Sequence, residues 1–579
     1  MSALKELQAA QTLGQLAVLL NIPLRMLAYI LYKRNKEELY KKFEIPKKCG
    51  GVREICAPTR DLKLLQHRLS ELLYTCSVEI NTHNRHVEDQ EHQGISHGFK
   101  PYHSILTNGR AHVTKRFVFN VDLEDFFGSF NFGRVRGFFI KNKNFQLHEK
   151  VATGIAQIAC YENKLPQGSP CSPVITNLIA HSLDIFLAKL AKSEGATYSR
   201  YADDLTFSSN SPEFPENIAI ISEAHRWEPG PELQWIVQRN GFGFNEKKTR
   251  MQYKDSRQEV TGLTVNRKVN STVSYRKTVR SMANSLFNSG KFEFIFKKND
   301  EEGVPQVKKS EGTVKKLIGM LSYIDYVDRF NSKLRDKNKL DPIQTPGRLK
   351  LFRRVIYFDK FYALDKPILV CEGKTDNVYL RCAIKSLKSD YPRLIDAGEG
   401  VMKVNFLKYA ERRTASVTEL TGGVGGLCKL LKNYHEDLTV RFRAPMPKHP
   451  VIIFIDNDKG ANSVYEAIAG ITKRPRPKGK AEFIHVMGNL YVVPTPVSAA
   501  MPETAIEDFF DDVTLKKTVD GRGFSRKNDE DDPKFYGKAT FAHKVVAAAA
   551  DEIDFKGFKP LLDRIVAVVE NYDALLKKK

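Results

Sequence analysis

Four residues, Tyr201-Ala202-Asp203-Asp204, carry the strongest chemical signal in the chain. They lie within residues 197–208, where aromatic and β-branched residues flank an Ala-Asp-Asp centre, the pattern of a hairpin with a tight polar turn. Adjacent carboxylates repel unless a cation lies beside them, and oxygen donors of this kind suit Mg²⁺. Taken alone, Asp-Asp reads as a solvated acidic turn. A third acid argues for chemistry: in residues 116–127, Phe117, Phe119, Val121 and Leu123 alternate onto one face of a strand and leave Asp122 on the other, near the strand's end.

The elements that must position these acids can be read around them. Residues 47–55 form a glycine-turned hairpin bearing cations, among them Arg53, a shape suited to gripping a triphosphate. Phe127 reads either as the wall of a sugar pocket that excludes a 2′-hydroxyl or as core, with the pocket reading preferred, whereas Phe126 reads as core. In Leu165-Pro166-Gln167-Gly168-Ser169-Pro170, the prolines and glycine fix an irregular loop. Ser172-Pro173 then caps and opens a helix, so that Gln167 and the loop backbone can press against a base pair. Beyond Gly241-Phe242 stand Lys247-Lys248, where the Lys248 ammonium either protonates departing pyrophosphate or belongs to a solvated basic loop. Leu4, Leu7, Leu13, Leu16, Ala17 and Leu20 predict one amphipathic helix ending at Pro23.

In this order the pieces resemble the palm motifs of a reverse transcriptase. Asp122, Leu-Pro-Gln-Gly at 165–168, Tyr201-Ala202-Asp203-Asp204, Gly241-Phe242 with Lys247-Lys248, and Gly262-Leu263 together cover residues 47–270. Within that family the chain resembles bacterial retron enzymes through His97-Gly98-Phe99, Ser104-Ile105, Asn108-Gly109-Arg110-Ala111-His112 and Val260-Thr261-Gly262. Gly109 stands where the retron signature has Ala, with Asn108 and His112 still in register.

The resemblance implies an α+β right-hand polymerase with fingers, palm and helical thumb, and two Mg²⁺ held by Asp122, Asp203 and Asp204. It implies Arg53 on the triphosphate, Phe127 selecting deoxynucleotides, and Gln167, Gly168 and Tyr201 around the incoming nucleotide. RNA contacts would fall at Asn108, His112, Val260, Thr261 and Gly262. The implied partners are dNTPs, a cognate structured noncoding RNA and the branched RNA–DNA made from it.

More than two hundred residues follow the thumb, and they carry a second chemical signal. Residues 367–376 read as a buried strand, Glu372, a glycine turn and the start of a helix towards Leu387; residues 449–460 repeat the idea with Asp456-Asn457-Asp458. Continuous apolar runs suit parallel strands covered on both faces, which sets the acids at their carboxyl ends. Asp456 and Asp458, two apart, project to one side and can share a Mg²⁺.

This arrangement resembles a Toprim domain over residues 367–510, an α/β fold with a mostly parallel sheet. The resemblance implies Glu372 as general acid/base, Asp456 and Asp458 as ligands of one or two Mg²⁺, and a nucleic-acid target. Glu507 is either a further ligand, as in the nuclease branch, or an acidic surface turn; Lys538 is a helix-surface residue or a phosphate contact. Gly422–Gly426 is a helix entrance open to phosphate or a plain glycine turn. Fusions of this kind imply antiphage defence, in which the RNA–DNA restrains a toxic nuclease. The alternatives are a catalytically dead domain that binds the RNA–DNA product, and an intron-type polymerase, which would need a maturase or endonuclease segment.

Length and composition agree. The 579 residues suggest roughly three to four domains. The expected divisions are a helical extension at 1–45, fingers and palm at 46–270, a helical thumb at 271–340, a linker at 341–366 and the Toprim region at 367–579. Val314, Leu317, Met320-Leu321 and Ile324 stripe the thumb beside Lys315-Lys316, while the charged residues 290–309 and 525–533 predict loops. Lys+Arg 91 against Asp+Glu 68 leaves a net +23, which favours a polyanionic partner. No stretch reads as a membrane span or a secretion signal, and eight cysteines without C-x-x-C suit reduced thiols, so the expected place is the cytoplasm; a homo-oligomer is allowed. Six histidines between 83 and 112 lack metal-ligand spacing.

Overall fold

The structure, a computed structural model, describes residues 2–46, 51–83, 94–299, 305–336, 347–409, 413–439, 441–526 and 532–578. The chain forms two compact units, Met1–Val273 with Val327–Lys339, and Ser274–Tyr326 with Leu340–Lys579. Expectations that fall on Lys47–Gly50, on His86 and His92, on residues 341–346 and on 527–531 lie outside the described residues.

In the first unit the expected N-terminal helix is three: Ala3–Ala9, Leu13–Leu19 and Leu24–Tyr32. The break comes from capping. Ala10 is extended, and Thr12 accepts from the Gln15 N–H while the Gln15 side chain accepts from the Thr12 N–H, a reciprocal box that starts a new helix. Leu7, Leu16, Ala17 and Leu20 are buried as the apolar spacing requires. The hairpin Tyr40–Pro46 with Val52–Pro58 is antiparallel, and Cys56 N–H donates to the Gln167 carbonyl at 2.8 Å, which ties it to the proline-rich loop. Gly168 there has φ +116°, and a Cβ would stand 2.8 Å from the Cys56 carbonyl, so the contact requires glycine. The helix after the loop starts at Ser172, with Cys171 as its cap, one residue earlier than the serine-proline signal suggests.

The four-stranded antiparallel sheet runs Thr197–Tyr201, Asp204–Ser209, Phe117–Asp122, Arg250–Tyr253. Strand alternation holds on the Asp122 strand: Phe117, Phe119 and Val121 join the main core, while Val118 packs with Val260 and Val265 on the opposite face. Helix Ser172–Ser193 is apolar enough for a membrane but packs into this core through Val174, Ile175, Ile179, Leu183 and Leu187.

Helix Val273–Ser289 lies in the second unit from Ser274 onward. The expected loop at 290–309 is instead an antiparallel ladder, Glu293–Asn299 with Pro305–Glu311. Aromatics give this charged stretch a foothold: Phe292 is buried, Phe294 packs against it at 5.5 Å, and the Lys316 ammonium sits 4.0 Å from the Phe294 ring centroid. The expected linker also differs. Gly347–Tyr357 is a helix that buries Phe352, Val355, Ile356 and Tyr357, and it is anchored where Arg353 Nε and Arg354 Nε meet the two oxygens of the buried Asp437 at 2.9 and 2.8 Å. Its alternating basic and apolar residues form a stripe on a helix.

The central sheet has the order Asn405–Phe406, Ile368–Cys371, Val451–Ile455, Leu490–Pro494, Ile484–Met487, parallel except for the last strand. Both faces are covered. Ile368, Val370, Ile453 and Val492 join one core cluster, and Leu369, Cys371, Phe454 and Val493 join the other. Helix Lys559–Lys577 packs on the second cluster through Leu561, Leu562, Ile565 and Val568.

One buried ion pair dominates the first unit. Arg200 is fully buried, with Nε 2.7 Å from Asp184 Oδ1 and Nη2 2.8 Å from Oδ2, and the Tyr198 hydroxyl donates to the same carboxylate at 3.0 Å. Asp184→Ala would strand that guanidinium and is expected to cost about 3–5 kcal/mol, whereas breaking the exposed Lys42–Glu162 pair by Glu162→Ala is expected to leave stability essentially unchanged. Both tryptophans, Trp227 and Trp235, lie in this unit, so urea unfolding followed by their fluorescence measures the difference.

Candidate active sites

The hairpin turn is the predicted one: Tyr201 pairs with Asp204, leaving Ala202 and Asp203 at the tip. Ala202 has φ +57°, a left-handed conformation disfavoured for alanine, and the surroundings hold it there. Arg200 Nη1 donates to the Ala202 carbonyl at 3.0 Å, and His97 N–H to the Arg200 carbonyl at 2.8 Å. Gly98 lies under the tip, where a Cβ would be 2.6 Å from the Ala202 nitrogen, and its carbonyl accepts from Asn177 Nδ2 at 2.8 Å. Arg200, Asp184, Asn177 and Gly98 position the site, and the acid-centred reading of the sequence missed that role. A charged residue in an otherwise alternating strand, Arg200, was the available signal.

Asp122 lies directly across from Asp204 in the antiparallel register, and Leu123 N–H donates to the Asp203 carbonyl at 2.9 Å. The register thus sets Asp122, distant in sequence, against the adjacent Asp203-Asp204 pair. Burial, then the charge of Asp122, raises the Asp203 pKa; burial, then Asp203 and Asp122, pushes Asp204 up to about 7. Asp204 is exposed as a residue, so solvent tempers the size of the effect, while the crowded charges fix its direction. Lys248 lies 2.8 Å from each Asp122 oxygen, supplying a cation to the site, so it is not part of a freely solvated loop. The chain reaches this point because Asn245 N–H donates to the Asp122 carbonyl and Glu124 N–H to the Gly243 carbonyl.

Around the acids, Arg53 is exposed and its charge is felt at Asp203; Phe127 is half-buried, with its ring 6.3 Å from Phe99; and Gln167 and Tyr201 are half-buried. Phe126 is core, as expected. The expected RNA contacts are corrected at three positions. Asn108 and His112 are fully buried, with Asn108 Oδ1 accepting from the Ser199 hydroxyl and His112 bridging the hydroxyls of Ser199 and Ser208, each at 2.7 Å. Burial pushes the His112 pKa down to about 3, so the ring is neutral and ties the two hairpin strands together. Val260 is buried against Val118 and Val265. Of that set, Gly262 is exposed, at φ +77°, and Thr261 is half-buried, at φ +48°, in the tight turn between Glu259–Val260 and Leu263–Thr264.

The second unit gathers a second set of acids. Glu372 follows the strand Ile368–Cys371, and Asp456 follows Val451–Ile455 beside it. Glu507 is fully buried, which rules out a surface turn, and Lys538 turns in to meet its Oε1 at 2.9 Å. Asp376, which the sequence reading passed over, is the fifth acid; it is buried, and its Oδ2 accepts from the Gly373 N–H at 2.7 Å. Its position four residues after Glu372, at a helix start, was the available signal. Burial, then Asp376, Glu507 and Glu372, pushes Asp456 up to about 8. Burial, then Asp458 and Asp376, pushes Glu372 up to about 7. Asp458 is exposed and caps its own turn through Gly460 N–H, whereas Asp456 Oδ1 accepts from Ile506 N–H, so the two acids point to different partners. The 422–426 glycines serve this site, since Gly423 N–H donates to the Glu372 carbonyl at 2.9 Å.

Both sets fit Mg²⁺ by donor chemistry. Raised carboxyl pKa values mark groups whose charged form burial and neighbouring acids disfavour until a cation is supplied, and Glu372 Oε2 and Glu507 Oε2 are buried with no hydrogen-bond partner. Among the described residues, no three His, Cys, Asp or Glu side chains are gathered closely enough to hold a metal ion as they stand.

Residues 45–266, all within the first unit, match the family model described as reverse transcriptase (RNA-dependent DNA polymerase). The chain is 33% identical over 292 residues to the retron Mx65 reverse transcriptase of Myxococcus xanthus, covering 47% of this chain and 62% of that protein. It is 32% identical over 238 residues to the retron Ec86 reverse transcriptase of Escherichia coli, covering 41% and 66%. The chain thus spans somewhat under two thirds of the length of these relatives. Among solved structures, a Candida albicans telomerase covers 55% of this chain and 60% of its own at 13% identity, with a TM-score of 0.28, too low to argue from.

The raised Asp204 pKa makes a pH-dependent expectation. Without divalent cation the folded protein holds a proton that the unfolded chain releases near pH 4, so between about pH 4 and 7 stability falls as pH rises. Asp204→Asn removes that penalty. Its tryptophan-monitored melting temperature in EDTA is expected to exceed wild type at pH 8, with the gap closing towards pH 4.5; an equal gap at both pH values contradicts this account.

Proposed function

We propose that the first unit is the polymerase of a retron, copying a structured noncoding RNA into single-stranded DNA joined to that RNA through a 2′-hydroxyl branch. The observation that carries the reading is the pairing of Asp122 opposite Asp204 at the tip of a hairpin clamped by Arg200. The similarity of the chain to retron reverse transcriptases supports the retron assignment. Asp122, Asp203 and Asp204 would hold two Mg²⁺, which when bound lower the pKa of the attacking hydroxyl and offset charge on the leaving pyrophosphate. Arg53 engages the triphosphate, Phe127 walls off a 2′-hydroxyl, and Gln167, Gly168 and Tyr201 border the nascent pair. Lys248, once released from Asp122, has a proton to give the departing pyrophosphate.

For the second unit we propose a Toprim-type, Mg²⁺-dependent nuclease acting in the bacterial cytoplasm as a defence effector restrained by the RNA–DNA product. Glu372 serves as acid/base, its raised pKa suiting proton exchange near neutrality, and Asp456, Asp458 and Glu507 hold the cation. The mostly parallel sheet with acids at neighbouring strand ends supports this reading. A second reading, a non-catalytic module that binds the RNA–DNA, is favoured by the separate partners of Asp456 and Asp458.

Asp203→Asn is expected to lower primer extension on an RNA template by at least about a thousandfold without loss of fold. Sequencing of co-purified nucleic acid is expected to show a branched RNA–DNA; linear cellular RNA alone would contradict the retron assignment. Glu372→Ala is expected to abolish toxicity of the freed effector, and persistence of toxicity would favour the binding-module reading.

A further inference from the structure

The second unit holds a cavity of about 550 Å³ that none of the chemistry above uses. We propose that it binds a phosphorylated nucleoside, either free or as the 5′-terminal nucleotide of a strand. This inference is independent of the nuclease assignment.

The lining combines two surfaces. Five arginines, Arg276, Arg280, Arg354, Arg441 and Arg443, face it against one aspartate, Asp325. Beside them stand the rings of Phe287 and Phe352 and the amides of Asn284 and Asn288, with aliphatic side chains such as Leu321 and Ile324 filling the rest of the wall. Planar guanidinium forks match phosphate oxygens, aromatic rings offer a face to a base, and amides can pair with its edge. The volume lies in the usual range for small-ligand pockets, about 300–1,000 Å³.

Helical spacing builds one wall. Arg276, Arg280, Asn284 and Asn288 follow at intervals of four along Val273–Ser289, which sets them on one face. The opposite cations are held in place rather than loose. Arg354 Nε is fixed on Asp437, which is fully buried and shared with Arg353. Arg441 and Arg443 flank Phe442, which is buried and stacked on Phe287 at 4.8 Å, and the Arg443 and Ala444 N–H groups both donate to the Phe287 carbonyl. Among the described residues, Arg280, Arg441 and Arg443 take part in no ion pair, so three guanidinium groups face a cavity whose lining offers them only the carboxylate of Asp325. A cavity built to hold uncompensated arginines around aromatic rings fits a ligand with both negative charge and a planar apolar face.

The test is calorimetric titration of the full chain in EDTA, which withholds the Mg²⁺ that the proposed polymerase site needs. The probes are adenosine 5′-monophosphate, adenosine, inorganic phosphate and a 5′-phosphorylated tetranucleotide. Either phosphorylated nucleotide probe is expected to bind at least about ten times more tightly than adenosine or phosphate, because each of these fills half the site. Arg280→Ala with Arg443→Ala, both exposed side chains, is expected to weaken that binding at least about tenfold at an unchanged melting temperature. Asn284→Trp, which fills the cavity without changing its charge, is expected to do the same. Tighter binding of the tetranucleotide identifies a strand end as the source, and equal or tighter binding of the monophosphate identifies free nucleotide. Absence of binding by both, phosphate binding as tightly as either, or no effect of both variants overturns the proposal.

Discussion

The first candidate site depends on the Arg200–Asp184 pair beneath the acid-bearing hairpin. A hairpin that carries two acids opposite a third is driven apart by its own charge, and Ala202 at its tip adopts a backbone conformation that alanine resists. Arg200 answers both problems. It is buried, doubly bonded to Asp184, and donates to the carbonyl of Ala202 itself, so the strain at the tip is held by a network with no easy alternative arrangement. Gly98 below and His112 across the hairpin strands complete a platform on which the carboxylates can stand exposed to a ligand while their backbone stays fixed.

The same economy of charge recurs in the second unit through a different fold. There the acids stand at or beside the ends of neighbouring parallel strands, where the sheet is covered on both faces and carboxylates are pressed together with little water. Burial pushes Glu372 up to about 7 and Asp456 up to about 8, and Lys538 pairs with Glu507. In each unit a lysine stands against a carboxylate of the set, Lys248 on Asp122 and Lys538 on Glu507. The chain's own ammonium groups thus meet part of a demand for positive charge that the fold creates.

Much of this was legible from local pattern. The Ala-Asp-Asp turn, the alternation around Asp122, the Pro-Gln-Gly loop and the two strand-acid-glycine segments all declared themselves, because each is specified by neighbours within a few residues. Where expectation failed, longer-range contacts decided. A charged stretch became a hairpin because Phe292 and Phe294 found a surface, and a supposed linker became a core helix because Asp437 lay ready for Arg353 and Arg354. Asn108 and His112 carry hydrogen-bonding side chains that suit RNA, yet both turn inward to the serines of a strand pair some ninety residues away.

By itself the sequence determined which residue types could do chemistry and on what local elements they sit, since turn chemistry, strand alternation and helix capping act over short spans. Only the tertiary structure decided which of those residues meet. It set Asp122 against Asp204, brought Asp376 and Glu507 to Glu372 and Asp456, and closed an arginine-lined cavity from three separate helices and a loop. The physical reason is that burial and charge pairing are properties of neighbours in space, and a chain does not write its spatial neighbours in its local order.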